Sequence, residues 1–273
     1  MIERVKVAGV PIGHSDPLVL IAGPCQIENR DHALRMARRL ADIGKRMGLP
    51  VIYKSSYDKP NRTRFSGERG VGLGAGLEIL AEIRKTLQLP VTTDVHRPED
   101  CDKVAQVVDM IQIPAFLCRH TDLLLTASDT YRPINVKKGQ FMAPAAMANV
   151  VGKLSVSGNR NLLLTERGTT FGHGDLVVDF RGIPIMRQFA PVVMDVTHSI
   201  QTPGSGGSHS GGNRAMIEPL ARAAVGLGVA ALFIEVHDNP DIAPSDGASM
   251  LHIDALEPLM FRLLGIDKMA KTL

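Results

Sequence analysis

The stretch VTTDVHRPEDCDKVAQVVDMIQIPA, residues 91–115, decides the fold. It opens on a short apolar and β-branched run, Val91–Asp94, and closes on another, Met110–Ile113. Between them, Glu99–Val107 has helical periodicity. A strand, a helix and a second strand in so few residues form a βαβ unit, whose crossover returns the chain parallel to its start. Strands without alternation of apolar and polar residues are buried on both faces, as in parallel sheets.

Working outward, the unit recurs. Further strands are expected at Leu18–Ala22, Val51–Lys54, Ile134–Lys137, Leu162–Thr165, Val192–Asp195 and Leu232–Val236. Further helices are expected at Asp31–Arg46, Leu77–Leu87, Asp122–Ser128, Ala146–Leu154, Pro184–Phe189, Asn213–Leu227 and Asp254–Leu264. The first of these puts Leu34, Ala37 and Ala41 on one face. Eight strands alternating with eight helices suit a closed (β/α)8 TIM barrel. Alternation alone leaves an open doubly wound sheet as the alternative. Residues 1–17 precede the repeat, and Val5–Val7 with Pro11–Ile12 around Gly9 are expected to form a short N-terminal β-hairpin under the barrel. No linker divides the chain, so residues 1–273 are read as a single domain.

Composition narrows the functional classes. Lysine and arginine total 31 against 28 acidic residues, a net charge of +3 that supplies no general attraction to nucleic acid or membrane. Aromatic residues make up 4% of the chain and tryptophan is absent, so stacking platforms for RNA are scarce. Cys25, Cys101 and Cys118 show neither CxxC pairing nor a disulfide framework, which favours a reducing compartment. The charged N-terminus lacks a signal-peptide core, and the apolar stretch 225–236 is too short to span a bilayer. A cytoplasmic protein is expected.

In a barrel of this kind, catalytic groups gather where the strands end. The successive exits carry Cys25; Lys54, Lys59 and Arg62; Asp94 and His96; Gln112; Lys137 and Lys138; Glu166 and Arg167; His198; and Glu235 with His237. One polar residue in a loop means little, and any one of these cations is as readily an ordinary surface charge. Together, Lys54, Lys59, Arg62, Lys137 and Arg167 would repel one another unless anions sit among them. Phosphate and carboxylate ligands are therefore expected. Cys25, His198, Glu235 and Asp246 combine thiolate, imidazole and carboxylate, a set suited to a borderline transition metal rather than Mg²⁺. Taken singly, Cys25 is more often a small buried residue than a ligand, and His198 is equally a general base. Cys101 and Cys118 are assigned to packing. The glycine-rich segment 202–213 reads either as a lid or as a plain surface connection, and it lacks the P-loop pattern.

Nine segments carry a resemblance: AGPCQIE (22–28), YKSSYDKPNRT (53–63), TTDVH (92–96), QIPAFLCRHTDLL (112–124), NVKKGQF (135–141), LTERGTTFG (164–172), VVDFRGIPIM (177–186), DVTHSIQ (195–201) and IEVHDNP (234–240). In these segments the chain resembles the 3-deoxy-D-manno-octulosonate 8-phosphate synthases. The resemblance implies a homotetrameric TIM barrel that condenses phosphoenolpyruvate with D-arabinose 5-phosphate on the path to lipopolysaccharide. It implies that C3 of phosphoenolpyruvate attacks the aldehyde, that water attacks C2, and that phosphate leaves by C–O cleavage.

Carried over by position, Lys54, Lys59, Gln112, Lys137 and Arg167 match the phosphoenolpyruvate site, and Asn61 and Arg62 the sugar-phosphate site. Lys54, Asp94 and His96 are the catalytic candidates, with hydroxyl binding as the competing role for the last two. Cysteine at position 25 marks the metal-dependent class, and His198, Glu235 and Asp246 match the remaining ligands of a divalent ion such as Zn²⁺, Fe²⁺, Mn²⁺ or Co²⁺. Pro60 and Arg64 depart from the family pattern and put the detailed sugar contacts in question. The rival is the related 3-deoxy-D-arabino-heptulosonate 7-phosphate synthase, which uses erythrose 4-phosphate; its segment KPRTS lacks the asparagine found here as Asn61. A silent, regulatory barrel would be expected to lose a metal ligand or Arg167, and none is lost.

Overall fold

The computed structural model describes residues 2, 4–62, 65–202 and 211–272. The expectation concerning Arg64, and the middle of the glycine-rich segment at 203–210, lie outside the described residues.

The chain begins with strands β1 (Arg4–Val7) and β2 (Val10–Gly13), then β3 (Val19–Gly23), α1 (Arg30–Met47), β4 (Val51–Lys54) and α2 (Leu73–Leu87). Next come β5 (Val91–Asp94), α3 (Cys101–Val107), β6 (Met110–Ile113), α4 (Thr121–Asp129), β7 (Ile134–Lys137), α5 (Met147–Leu154) and β8 (Leu162–Glu166). A small hairpin, β9 (Thr169–Phe171) with β10 (Asp175–Val177), precedes α6 (Gly182–Arg187) and β11 (Val192–Asp195). Two-residue strands β12 (Gln201–Thr202) and β13 (Gly211–Gly212) lead to α7 (Ile217–Gly226), β14 (Ala231–His237), β15 (Leu251–His252) and α8 (Leu256–Ala270).

Strands β3 to β8, β11 and β14 pair in parallel, and β11 returns to β14, so the sheet closes. The register runs from Ala231 beside Val19 through Leu20 beside Val51 to Val193 beside both Thr165 and Ala231. This is the (β/α)8 barrel; the open sheet is excluded. Closure leaves no unpaired edge and turns every strand end to one mouth.

Burial explains the patterning. The barrel strands are buried at every position, which is why they read as unbroken apolar runs. Helix α1 is capped by Asn29, whose side chain accepts the His32 amide at 2.9 Å, and ends at Gly48 with φ 62°. Its buried face runs through Ala33, Met36, Ala37, Leu40 and Gly44, with Leu34 and Ala41 at the margin rather than the centre. Hairpin β1–β2 closes the floor. Its first strand alternates exposed and buried residues; the hairpin sends Val5, Val7 and Ile12 into the core and is anchored by the Arg4–Asp16 pair at 2.5 Å.

Candidate active site at the barrel mouth

The exits of the strands surround one cavity of about 910 Å³. That volume suits two small phosphorylated molecules. Every predicted site residue lines it except Cys25 and Glu235, which lie just beneath, fully buried. Gly23 permits this arrangement at the β3 exit. A Cβ there would sit 1.9 Å from the Lys54 carbonyl oxygen, so only glycine lets β3 and β4 approach this closely.

One wall is cationic. Lys54 and Lys59 both donate to Ser56 Oγ, at 2.8 and 2.7 Å, and Ser56 in turn donates to Asp94 Oδ1. His96 Nε2 lies 3.0 Å from Asp94 Oδ2. Burial alone would favour a protonated Asp94, but Lys54, Lys59 and His96 outweigh it and hold the carboxyl well below its usual range. On the far side, Lys137 Nζ donates to Asp195 Oδ2 at 2.5 Å and sits 3.6 Å from the centre of the Phe233 ring. Burial lowers the pKa of Lys137 and of Arg167, the shift being opposed by Asp195 in each case. Arg167 bonds Gln201 through Nη2 at 3.0 Å. Its buried Nη1 and the buried Oε1 of Gln112 have no hydrogen-bond partner in the structure. Such atoms are costly to leave unpaired, and both residues line the cavity.

The other wall carries the thiol and carboxylates. The ligand atoms of Cys25, Glu235 and Asp246 lie within 4.8 Å of one another. His198 Nε2 is 3.6 Å from Glu235 and 3.7 Å from Asp246. Its Nδ1 lies 2.8 Å from Asp195, leaving the Nε2 lone pair for the cluster. Both Glu235 oxygens are buried without a hydrogen-bond partner. Cys25 Sγ contacts Ser245 Oγ at 3.1 Å and Asp246 Oδ2 at 3.3 Å. Burial and then the charge of Glu235 push this thiol far above its ordinary range, so only a strong electrophile would displace its proton. One sulfur, one imidazole nitrogen and two carboxylates fit a borderline divalent cation.

Asp246 reaches the cluster from a left-handed backbone conformation, φ 54°. Gly247 supports the turn, because a Cβ there would meet the Pro240 carbonyl oxygen at 2.2 Å.

The sugar-phosphate candidates lie at the rim. Asn61 is exposed. Arg62 spans the mouth, donating to Gln26 at 2.6 Å, Ser245 at 2.9 Å and the Glu68 carbonyl at 2.6 Å. Three strand-exit residues turn elsewhere. Lys138 and Glu166 pair with each other at 3.4 Å behind the mouth, and His237 turns its Nε2 to Glu28 at 2.6 Å. Alternation along a strand accounts for Lys138, since its neighbour Lys137 takes the inner face. Cys101 and Cys118 are buried packing residues, as expected.

Two residues went unread in the sequence. Ser56 joins both lysines to Asp94, and Asp195 joins Lys137 to His198 while accepting the amides of Thr197 and His198. An aspartate completing an otherwise apolar strand, Val192–Asp195, was the available signal for the second.

The chain is similar along nearly its whole length to known proteins. Residues 2–271 match the DAHP synthetase I family. A 2-dehydro-3-deoxyphosphooctonate aldolase of Chelativorans sp. (strain BNC1) is 52% identical over 270 residues, covering 98% of each chain. The enzyme of the same name from Brucella ovis is 53% identical over 272 residues, 99% of this chain and 98% of its own. The protein of Brucella anthropi bearing that name is 52% identical over 272 residues. With the match running nearly end to end, the chain belongs to the DAHP synthetase I family.

Proposed function

We infer that the chain is a transferase that condenses phosphoenolpyruvate with D-arabinose 5-phosphate and water, giving 3-deoxy-D-manno-octulosonate 8-phosphate and inorganic phosphate. The relatives named above carry the alternative name of this enzyme. The observation that carries the reading is the cationic wall of Lys54, Lys59, Lys137 and Arg167 facing one cavity beside a thiol–imidazole–carboxylate set. Two phosphates and a carboxylate need several fixed cations, and this wall supplies them.

In this reading Arg167, through its unpaired Nη1, and Lys137 bind the phosphoenolpyruvate phosphate. Lys54 and Lys59, oriented by Ser56, meet the carboxylate, and Gln112 completes the site. Asp94, held as an anion, orients Lys54, Lys59 and His96, which leaves His96 at the cavity to move a proton or to hold an aldose hydroxyl. Arg62 and Asn61 take the sugar phosphate at the rim, and Arg62 must exchange some of its protein partners to do so. Carbon C3 of phosphoenolpyruvate bonds to the aldehyde carbon, water adds at C2, and the C2–O bond breaks to release phosphate.

Cys25, His198, Glu235 and Asp246 would hold a divalent cation. The unpaired oxygens of Glu235 support that assignment. When bound, the cation would supply Lewis acidity toward water or the aldehyde. A homotetramer is the proposed assembly. The exposed Phe116, Phe141 and Phe171 support burial against neighbouring subunits. Among the described residues, no helix is long and apolar enough to cross a membrane, and the proposed compartment is the cytoplasm.

Turnover with the two aldose phosphates side by side tests the reading. Preference for D-arabinose 5-phosphate is expected, and preference for erythrose 4-phosphate would transfer the assignment to the shorter sugar.

A further inference from the structure

We propose that Glu28, His32 and His237 form a second divalent-cation site, sharing no residue with the Cys25 set. The three come from separate elements: the loop before α1, the first turn of α1 and the end of β14. Their candidate ligand atoms all lie within 4.8 Å of one another. The rings of His32 and His237 lie 4.6 Å apart, tilted by 40°.

The orientation of those rings points to a ligand. Asp238 Oδ1 lies 3.0 Å from His32 Nε2 and 3.2 Å from His237 Nδ1. One carboxylate therefore faces a nitrogen of each ring, which is the support a metal-bound imidazole ordinarily has behind it. The opposite nitrogens, His32 Nδ1 and His237 Nε2, face Glu28 Oε1 at 3.8 and 2.6 Å. The His32 side chain is 6% exposed, and its Nδ1 has no hydrogen-bond partner. A buried ring nitrogen in that state lacks what a cation would provide.

His237 Nδ1 also lies 2.9 Å from the Asn239 amide. Without a cation, Nδ1 accepts that amide and Nε2 donates its proton to Glu28. With a cation on Nε2, the ring proton would sit on Nδ1 beside Asp238, and the Asn239 amide would give up its hydrogen bond to that nitrogen. Glu28, 27% exposed at its side chain, would draw back from His237 to admit the ion. Two imidazoles, one carboxylate and a solvent position suit Zn²⁺ or another borderline cation. Such an ion would tie α1 to the exit of β14, from which the chain runs directly to Ser245 and Asp246. It would brace the segment that completes the first cluster.

The test counts ions. Metal-free full-length protein is dialysed against Zn²⁺, and bound zinc per chain is measured for the parent, His32→Gln and Glu28→Gln. Each variant is expected to bind one ion fewer, or to bind that ion at least about tenfold more weakly. The near-ultraviolet thiolate band of Co²⁺ at Cys25 is expected to be unchanged, reporting that the variants remain folded. Equal zinc counts and affinities in parent and both variants would overturn the proposal. The count does not depend on which aldose the protein uses, so this inference and the functional one fail separately.

Discussion

The two walls of the barrel mouth are both largely buried but differ in how their charges are met. On the cationic wall Asp94 stands beside Lys54 and His96, and Asp195 beside Lys137, with Arg167 Nη1 left unpaired. On the other wall Glu235 is left with two buried oxygens that no hydrogen bond meets. The first wall is thus organised before any reactant arrives, and its electrostatics need little rearrangement at the moment of reaction. In the proposed reading, a cation would complete the second. On that reading, the difference separates a binding surface built by the chain alone from one that an ion would complete.

Four experiments would break or sharpen that contrast. The largest effect is expected from chelation, which should remove activity, with a divalent metal restoring it; full turnover of a rigorously metal-free sample would contradict the incompleteness of the second wall. Asp195→Asn comes next, because Asp195 belongs to both walls. Removing one partner of a buried pair costs about 3–5 kcal/mol. Urea unfolding is expected to show a loss of that order, together with weaker phosphoenolpyruvate and metal binding. Loss of only one of the two affinities would show that the walls are not joined through this carboxylate.

Arg167→Ala should cost at least about 1.5 kcal/mol in kcat/KM for phosphoenolpyruvate, the scale of a charge-assisted hydrogen bond. Unchanged kinetics would remove Arg167 from the site. The smallest effect concerns Asp94. Against the opposing effect of burial, Lys54 and Lys59 hold its folded pKa well below the ordinary carboxylate range. The sign follows: the stabilisation is present above the unfolded value, and it is lost as pH falls toward the folded one. Thermal unfolding across roughly pH 5 to 2 should therefore show a smaller acid-induced decline in Asp94→Asn than in the parent. Identical profiles would mean that Asp94 has no such role.

Much of this architecture is legible in the sequence. All eight barrel strands fall within a residue of their expected ends, because strands buried on both faces leave continuous apolar runs. Helix starts were harder. Helix α2 begins at Leu73, not Leu77, across Gly74 and Gly76, whose low helix propensity hid the first turn. Helix α6 begins at Gly182, before Pro184, since a proline in the first turn removes an amide that has no partner there anyway. The hairpin β9–β10 went unread because its strands are three residues long and mostly exposed.

At the site, position at a strand exit was enough to single out Lys54, Lys137 and Arg167. The same rule overreached at Lys138, Glu166 and His237, which face away from the cavity. Which side a residue takes depends on register and on what lies behind the strand, and neither is written locally. The role of Asp195 emerges only when β7 and β11 bring Lys137 and His198 together. His32 and Glu28 are met by His237 only after α1 packs beside the end of β14.

The proposed function requires a thiolate-bound ion set against the cations that would hold phosphoenolpyruvate. Titrating metal-free protein with Co²⁺ and recording the near-ultraviolet spectrum, before and after adding phosphoenolpyruvate, tests it most directly. A sulfur-to-cobalt band that grows to saturation, shifts with phosphoenolpyruvate and is missing in Cys25→Ser is the expected result. No such band, or one indifferent to phosphoenolpyruvate, would contradict the account.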